Sequence, residues 1–130
     1  MLDASVMVPL LVDLPEATIA VLRTLSKRFD ERRGAPHVID IETTHALRRL
    51  SATGRISDPA ASTAVEDLQS IRLDRYPHHP LLPRVWELRS VLTAYDAAYL
   101  ALAEILDAPL ITRDRAFLSV DTEAEIVLAV

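Results

Sequence analysis

Apolar residues recur at helical spacing in several segments of the chain, and these segments predict most of its secondary structure. Between Glu16 and Arg33, charged residues separate an apolar series formed by Ile19, Leu22, Leu25 and Phe29. Further helices are predicted over "DIETTHALRRLSATG" at 40–54, capped by Asp40, and over "SDPAASTAVEDLQSIRL" at 57–73, capped by Ser57 or Asp58. Two more follow, over "PRVWELRSV" at 83–91 and the strongly apolar "LTAYDAAYLALAE" at 92–104.

Short extended segments alternate with these helices. The opening "MLDAS" is read as the end of a strand that leads into a short helix, and extended structure is expected around 37–39, after "GAP" at 34–36 ends the preceding helix. The segment "DRYPHHPLL" at 74–82 must be extended or looped, and strands are predicted at Leu110–Thr112 and near Ile126–Leu128. This alternation predicts one α/β domain over residues 1–130, with a mostly parallel central sheet flanked by helices.

The composition narrows the class of protein. The chain has no cysteine, which excludes a disulfide scaffold, a thiolate zinc site and a cysteine nucleophile, and which is compatible with a reducing compartment. No apolar run approaches the roughly 20 residues of a membrane span, and no N-terminal segment has the pattern of an export signal. We therefore expect a cytoplasmic protein that does not enter the membrane.

The net charge of −5 argues mildly against a protein that coats nucleic acid by electrostatics alone, but it allows a local basic rim. Lys27 is the only lysine among the 14 basic residues, so arginine dominates. The planar fork of arginine suits phosphate and carboxylate partners.

Four acidic residues stand at comparable places in the predicted elements. Asp3 follows the first strand, Glu42 lies in the first turn of a helix, Asp96 opens the apolar helix, and Asp114 follows the strand at 110–112. Each has a structural explanation by itself, because an acid at a helix start accepts from free backbone N–H groups and offsets the helix dipole. For Asp96, Thr93 would be the N-cap and the acid would complete a variant capping box.

The joint placement of these acids indicates chemistry beyond capping. In parallel sheets, ligands bind beyond the carboxyl ends of the strands, where Asp3, Glu42 and Asp114 are expected. Carboxylates that lie within a few ångströms of one another repel, which raises their pKa values and destabilises the domain unless a cation binds. Oxygen ligands suit Mg²⁺ or Mn²⁺ rather than zinc, and such ions activate water for phosphodiester hydrolysis.

Four blocks of the sequence resemble the signature blocks of the PIN-domain ribonucleases. They are "LDAS" at 2–5, "IETTHALRRL" at 41–50, "LTAYDAAYLALAE" at 92–104 and "LITRD" at 110–114. More narrowly, the chain resembles the VapC toxins of bacterial toxin–antitoxin pairs over nearly its whole length. The resemblance implies a PIN-like three-layer α/β fold and an endoribonuclease that leaves a 5′-phosphate and a 3′-hydroxyl. It also implies a homodimer and a small VapB-like antitoxin that inhibits the enzyme.

The same resemblance implies roles for particular residues. The family's acidic quartet, which holds one or two Mg²⁺ or Mn²⁺ ions and positions the attacking water, is matched by Asp3, Glu42, Asp96 and Asp114. Two hydroxyl positions beside the quartet are matched by Ser5 and Thr112. These hydroxyls would hydrogen-bond a carboxylate or a metal-bound water, with local capping as the alternative.

Two positions depart from the family's pattern. Only Met1 and Leu2 precede Asp3, where relatives usually have several apolar residues, so we expect either an upstream start or a short first strand that anchors Asp3 weakly. His45 stands one helical turn after Glu42, where many relatives carry asparagine. We expect His45 to support a metal ligand or to face the substrate, rather than to bind the metal.

Three arginines flank the acidic blocks, namely Arg89, Arg113 and Arg115. They would either grip RNA phosphates or form surface ion pairs, and the sequence does not separate these roles. Trp86 is expected to pack in the core rather than to stack on bases.

Two other classes of function fit parts of the pattern. A catalytically silent PIN-fold binding module would keep the fold without cutting, although all four acids are present. A receiver-like, Mg²⁺-dependent phosphoacceptor also uses aspartates at strand ends, but it requires adjacent acids after the first strand and a lysine after a late strand. Asp3 stands alone in its segment, and Lys27 lies in an early helix.

Overall fold

The structure is a computed structural model that describes residues 1–130. Its helices are α1 (Ala4–Leu11), α2 (Pro15–Ser26), α3 (Val38–Ala52), α4 (Asp58–Ser70), α5 (Leu82–Glu87) and α6 (Ala94–Ile105). Its strands are β1 (Gly34–Pro36), β2 (Asp74–Tyr76), β3 (Leu110–Thr112) and β4 (Ile126–Leu128). Two 3-10 helices cover His79–Leu81 and Arg115–Ser119.

The N-terminal segment joins two pairs of parallel strands into one sheet. Strand β1 pairs with β2, and β3 pairs with β4. Between these pairs, the Leu2 N–H donates to the Gly34 carbonyl at 3.0 Å, and the Ile111 N–H donates to the Met1 carbonyl at 2.8 Å. The order across the sheet is therefore β4, β3, the N-terminal segment, β1 and β2. This arrangement confirms the expected α/β fold with a mostly parallel sheet.

The expectation that the first residues anchor Asp3 weakly is wrong. Met1 and Leu2 are 6% and 1% exposed, because they lie at the centre of the sheet with strands on both sides. Immediately after them, Val6 and Met7 of α1 are fully buried, and α1 packs against β3 and α3. Even a short central strand is held firmly when both of its neighbours are paired to it.

Helix α6 lies in the core of the domain, as the apolar composition of its sequence predicted. Seven consecutive residues, Ala97–Ala103, are buried, and the helix contacts both β1 and β3. Small alanine side chains let neighbouring backbones approach closely, while Tyr99 and Leu100 fill the space between them. The helix therefore holds its first turn, with Asp96, against the centre of the sheet.

The third helix begins earlier than predicted. Strand β1 occupies 34–36 rather than 37–39, and α3 starts at Val38 without a side-chain cap. Gly34 permits this pairing, because a Cβ there would lie 3.0 Å from the Tyr76 ring. Asp40 is not the cap, since its carboxylate accepts two hydrogen bonds from the Arg75 guanidinium at 2.7 and 2.9 Å. This ion pair ties α3 to β2.

A sharp corner separates the first two helices. The Thr18 hydroxyl accepts from the Leu14 N–H at 3.1 Å and donates to the Pro9 carbonyl at 3.1 Å, which closes the turn. No single helix is long and apolar enough to cross a membrane; only α1 and α2 taken together reach that length and composition, and they are bent by 110°.

Replacing Leu2 by alanine tests the central position of the N-terminal segment. We expect Leu2→Ala to lower the free energy of unfolding by about 2–5 kcal/mol, the usual effect of truncating a buried leucine. The matched control is Leu22→Ala on α2, which is 53% exposed and should change the free energy by less than about 0.5 kcal/mol. Urea unfolding followed by circular dichroism measures both, and equal effects would contradict the sheet order given above.

Candidate active site

The buried carboxylate of Asp3 lies where the central segment turns into α1. It is the N-cap of that helix, and its Oδ1 accepts from the Val6 N–H at 3.2 Å and from the Ser5 hydroxyl at 2.6 Å. Its Oδ2 accepts from the Thr112 hydroxyl at 2.5 Å. Burial raises the pKa of Asp3, and these hydrogen bonds oppose the rise. Both oxygens therefore have partners within the protein.

Two hydroxyls connect Asp3 to the end of β3. The Ser5 hydroxyl also accepts from the Arg113 N–H at 2.8 Å, and the Thr112 hydroxyl accepts from the Asp114 N–H at 2.9 Å. Each hydroxyl thus donates to Asp3 and accepts from the backbone that follows β3. The structure places Ser5 and Thr112 against the Asp3 carboxylate. The Ser5–Asp3 contact is local, but the Thr112–Asp3 and Arg113–Ser5 contacts join separate segments.

Glu42 lies in the second turn of α3, so its expected place in the first turn is wrong. The helix starts four residues before Glu42, and Asp40 takes the first-turn position. The Tyr99 hydroxyl of α6 donates to Glu42 Oε2 at 2.6 Å. Burial raises the pKa of Glu42, and the charges of Asp96 and Asp3 add to the rise. Glu42 therefore has no role as a helix cap.

Tyr99 was not among the residues predicted from the sequence. It is 1% exposed, and burial and the hydrogen bond to Glu42 both raise its pKa. The signal was present, because Tyr99 is a hydroxyl-bearing side chain one helical turn after Asp96 in a segment of alanine and leucine. Its partner, Glu42, becomes recognisable only from the structure, in which α3 and α6 lie in contact.

Asp96 combines a capping contact with an open carboxylate oxygen. The Thr93 hydroxyl accepts from the Asp96 N–H at 3.2 Å and donates to Asp96 Oδ2 at 2.7 Å. Thr93 is therefore the predicted N-cap, but the carboxylate bonds to its hydroxyl instead of its backbone N–H. Burial raises the pKa of Asp96, and the nearby charge of Asp114 adds to the rise.

Asp114 is exposed and caps the 3-10 helix that follows it, because its Oδ1 accepts from the Ala116 N–H at 2.8 Å. With Asp3, Glu42 and Asp96 it forms a set that we call the acidic cleft. The charge of Asp96 raises the pKa of both Asp3 and Glu42, so the members lie within electrostatic reach of one another. The fold thus brings together acids that are up to 111 positions apart in the chain.

The acidic cleft fits a hard divalent cation by its chemistry. Glu42 Oε1, Asp96 Oδ1 and Asp114 Oδ2 have no hydrogen-bond partner in the protein. Carboxylate oxygens suit an ion such as Mg²⁺ or Mn²⁺, whose charge would favour the ionised forms of Glu42 and Asp96, the two of these acids with raised pKa values. No three acidic or histidine side chains are close enough, as they stand, to surround an ion. The four carboxylates therefore do not form a closed cage in this arrangement.

A groove of about 560 Å³ runs from the acidic cleft between α1 and α3. His45 lines this groove beside Glu42, and Arg113 lines its far wall. The other two arginines predicted to contact RNA lie outside it. Arg89 stacks over the Trp86 ring at 4.6 Å, and Arg115 is exposed at the start of a 3-10 helix. Trp86 is 68% exposed, so the expectation that it packs in the core is wrong.

The fold and the acidic cleft define a PIN-domain protein. The family model described as "PIN domain" matches residues 1–123, and the chain belongs to that family. The family resemblance seen in the sequence is therefore confirmed.

Within that family, the chain belongs to the VapC ribonucleases. It is 44% identical over 99 residues to Ribonuclease VapC1 of Mycobacterium tuberculosis, which covers 75% of this chain and 73% of the relative. It is 37% identical over 108 residues to Ribonuclease VapC9 of the same species, which covers 81% of this chain and 85% of the relative. Ribonuclease VapC12 is 40% identical over 113 residues, with 87% and 84% covered.

Solved structures agree on the fold. The crystal structure of PAE2754 from Pyrobaculum aerophilum has a TM-score of 0.66 and 27% identity, and it covers 96% of this chain and 80% of that one. VapBC2 from Rickettsia felis, solved bound to a DNA fragment from its promoter, also has a TM-score of 0.66, with 15% identity over 97% of this chain and 95% of that one. At that identity the second likeness shows the fold alone.

Removing one charge from the acidic cleft should stabilise the metal-free protein. We expect Asp96→Asn to raise the free energy of unfolding at neutral pH in EDTA by about 0.5–2 kcal/mol, the range of single stabilising substitutions. Raised carboxyl pKa values mean that the folded chain binds protons more tightly, so the wild type loses stability as pH rises through those values. The difference in the free energy of unfolding between variant and wild type should therefore become smaller as pH falls towards about 4.

Denaturant unfolding of both proteins at several pH values measures this difference in free energy. Asp13→Asn is the control, because Asp13 is an exposed aspartate outside the cleft. A variant that is less stable than the wild type at neutral pH would contradict the repulsion described here.

The Thr112 hydroxyl can be tested with a pair of substitutions. Thr112→Val keeps the shape but removes the donor to Asp3 and the acceptor for the Asp114 N–H, so we expect a loss of about 1.5–3 kcal/mol. Thr112→Ser keeps the hydroxyl and removes only a methyl group, so we expect a loss of about 1 kcal/mol. Thermal and urea unfolding rank the two variants, and the opposite order would mean that packing, not the hydroxyl, holds this position.

Proposed function

We propose that this VapC-family protein is a metal-dependent endoribonuclease and the toxin of a type II toxin–antitoxin pair. One observation carries the proposal: three acids of the acidic cleft each present a carboxylate oxygen that has no partner in the protein. The charges of these acids act on one another, since Asp96 raises the pKa of Glu42 and Asp114 raises that of Asp96, so their free oxygens are available to one shared cation. Family membership supplies the reaction class, since the relatives are ribonucleases by name.

The ions in this proposal are Mg²⁺ or Mn²⁺, held by Asp3, Glu42, Asp96 and Asp114. When bound, such an ion supplies an activated water and neutralises charge on the phosphoryl group. The protein's own residues fix the ligands. Ser5 and Thr112 hold Asp3 so that it keeps one orientation, and Tyr99 holds one oxygen of Glu42.

In this proposal, Glu42 takes a proton during the reaction. Its Oε2 is bound by Tyr99, while its Oε1 is without a partner, and burial raises its pKa. A general base works best when its pKa lies closer to the working pH, which favours such a carboxylate. The proton of the attacking water would pass to the Glu42 carboxylate as the water oxygen bonds to phosphorus. The P–O3′ bond would break opposite it, and the 3′-oxygen would take up a proton from solvent. The products would be a 5′-phosphate and a 3′-hydroxyl, and Asp96 and Asp114 would help to hold the ion.

Two partners belong to the proposal: a VapB-like antitoxin and a second copy of the chain. Exposed apolar side chains supply surface for both, among them Leu82, Trp86 and Tyr95. A shallow apolar cavity of about 190 Å³ between Leu82, Val85 and Tyr95 suits self-association. Light scattering on the protein alone, and on the protein purified with its antitoxin, reports both assemblies.

RNA cleavage tests the proposal directly. Purified protein should cut structured RNA with Mg²⁺ or Mn²⁺ and lose that activity in EDTA. We expect Asp96→Asn to reduce the rate by at least about 100-fold, because it removes a proposed ligand of the ion and even outer-shell partners of a metal are worth about 10–100-fold. Asp13→Asn is the charge-matched control and should cut like the wild type.

The result separates the enzyme from a catalytically silent binding module. Cleavage that survives in Asp96→Asn would come from a contaminant or from another site. A wild-type protein that binds Mn²⁺ and RNA but cuts no RNA would instead be the silent module.

A further inference from the structure

The groove between α1 and α3 is lined by apolar side chains and by arginines. Its floor is apolar and is formed by Val8, Pro9, Leu14, Ala46 and Leu50. Its rim carries three arginines: Arg49, Arg55 and Arg113. The groove also includes Ser5 and Glu42, so it is continuous with the acidic cleft. A ligand in the groove would therefore reach the reacting phosphate.

The arginines of this rim have no acidic partner. Arg49, Arg55 and Arg113 occur in none of the six ion pairs of the structure, and Glu42 is the only acid in the lining. Another cavity differs, because its three arginines, Arg32, Arg33 and Arg72, share the lining with three acids, Asp30, Glu31 and Asp74, and Arg32 pairs with Asp74. In a chain of net charge −5, the α1–α3 groove is thus a locally positive surface.

Arg113 adds an independent observation. Its Nε is buried and has no hydrogen-bond acceptor in the protein. Buried donors are normally satisfied, and leaving one unpaired costs stability. If the Arg113 side chain, which lines the groove, turned towards it, a phosphate oxygen there would provide the missing acceptor, and arginine's fork is suited to a phosphate.

We propose that this groove binds the single-stranded RNA segment next to the scissile phosphate. Backbone phosphates would contact the three arginines, and a base would lie on the apolar floor. A single strand offers both partners that the lining calls for, a charged backbone for the arginines and base faces for the apolar side chains. The inference rests on the proposed nuclease function, since it assigns the groove to that enzyme's substrate.

The test measures RNA binding without cleavage. The probe is a fluorescein-labelled single-stranded RNA of roughly a dozen nucleotides, and the background is Asp96→Asn. Arg49→Ala with Arg55→Ala should weaken binding about 10-fold or more at moderate salt. The slope of log affinity against log salt should become shallower by about 0.7 for each phosphate that the variant no longer neutralises. Arg23→Ala with Arg72→Ala removes the same charge from other exposed positions and should leave the slope unchanged.

Arg113→Met gives a second readout, because methionine keeps the aliphatic stem and removes the unpaired guanidinium. We expect weaker RNA binding together with a higher melting temperature in the absence of RNA. Equal effects of the two double variants on RNA binding would overturn the proposal. So would groove variants that bind RNA normally but lose the antitoxin, since the groove would then be a protein-docking site.

The experiments distinguish a failure of the groove proposal from a failure of the nuclease proposal. A wild-type protein that cuts RNA while the groove variants bind RNA normally removes only the groove proposal. A wild-type protein that cuts no RNA, while the groove variants lose RNA binding, removes the nuclease proposal and leaves the groove as an RNA-binding surface that serves no cleavage.

Discussion

The buried carboxylate of Asp3 is the constraint on which the rest of the structure depends. A charged group with 4% exposure is tolerated only when donors surround it, and here the donors come from α1 and from the end of β3. Satisfying Asp3 therefore fixes the central segment against β3. That contact sets the sheet order and brings Asp114 to the same edge as Asp96.

The other acids are arranged in the opposite way. Glu42 and Asp96 each have one oxygen held by a hydroxyl and one left without a partner, and Asp114 is exposed. The cleft thus combines one rigid carboxylate with three that can adjust. Mutual repulsion among these groups destabilises the folded chain, which is the usual trade between stability and function at such sites. The adjacent arginine rim is the electrostatic counterpart, since it attracts the anion that the acids alone would repel.

Much of the site could be predicted from the sequence because its acids follow recognisable elements. Asp3, Asp96 and Asp114 each lie at the start of a helix, where the local pattern is clear. The position of Glu42 was misjudged because Asp40 looked like a cap, whereas it pairs with Arg75, 35 residues away. Tyr99, Arg49 and Arg55 could not be recognised, since their roles depend on how α1, α3 and α6 face one another. A contact between residues far apart in the chain leaves no recognisable pattern in a short stretch of sequence.

The hydrogen bond between Asp3 and Thr112 joins residues 109 positions apart. During synthesis, the nascent chain carries Asp3 from the beginning but cannot complete its carboxylate shell until Thr112 has left the ribosome. Truncated or stalled products would therefore lack an ordered cleft. The acidic cleft is therefore complete only when nearly all of the chain has been made.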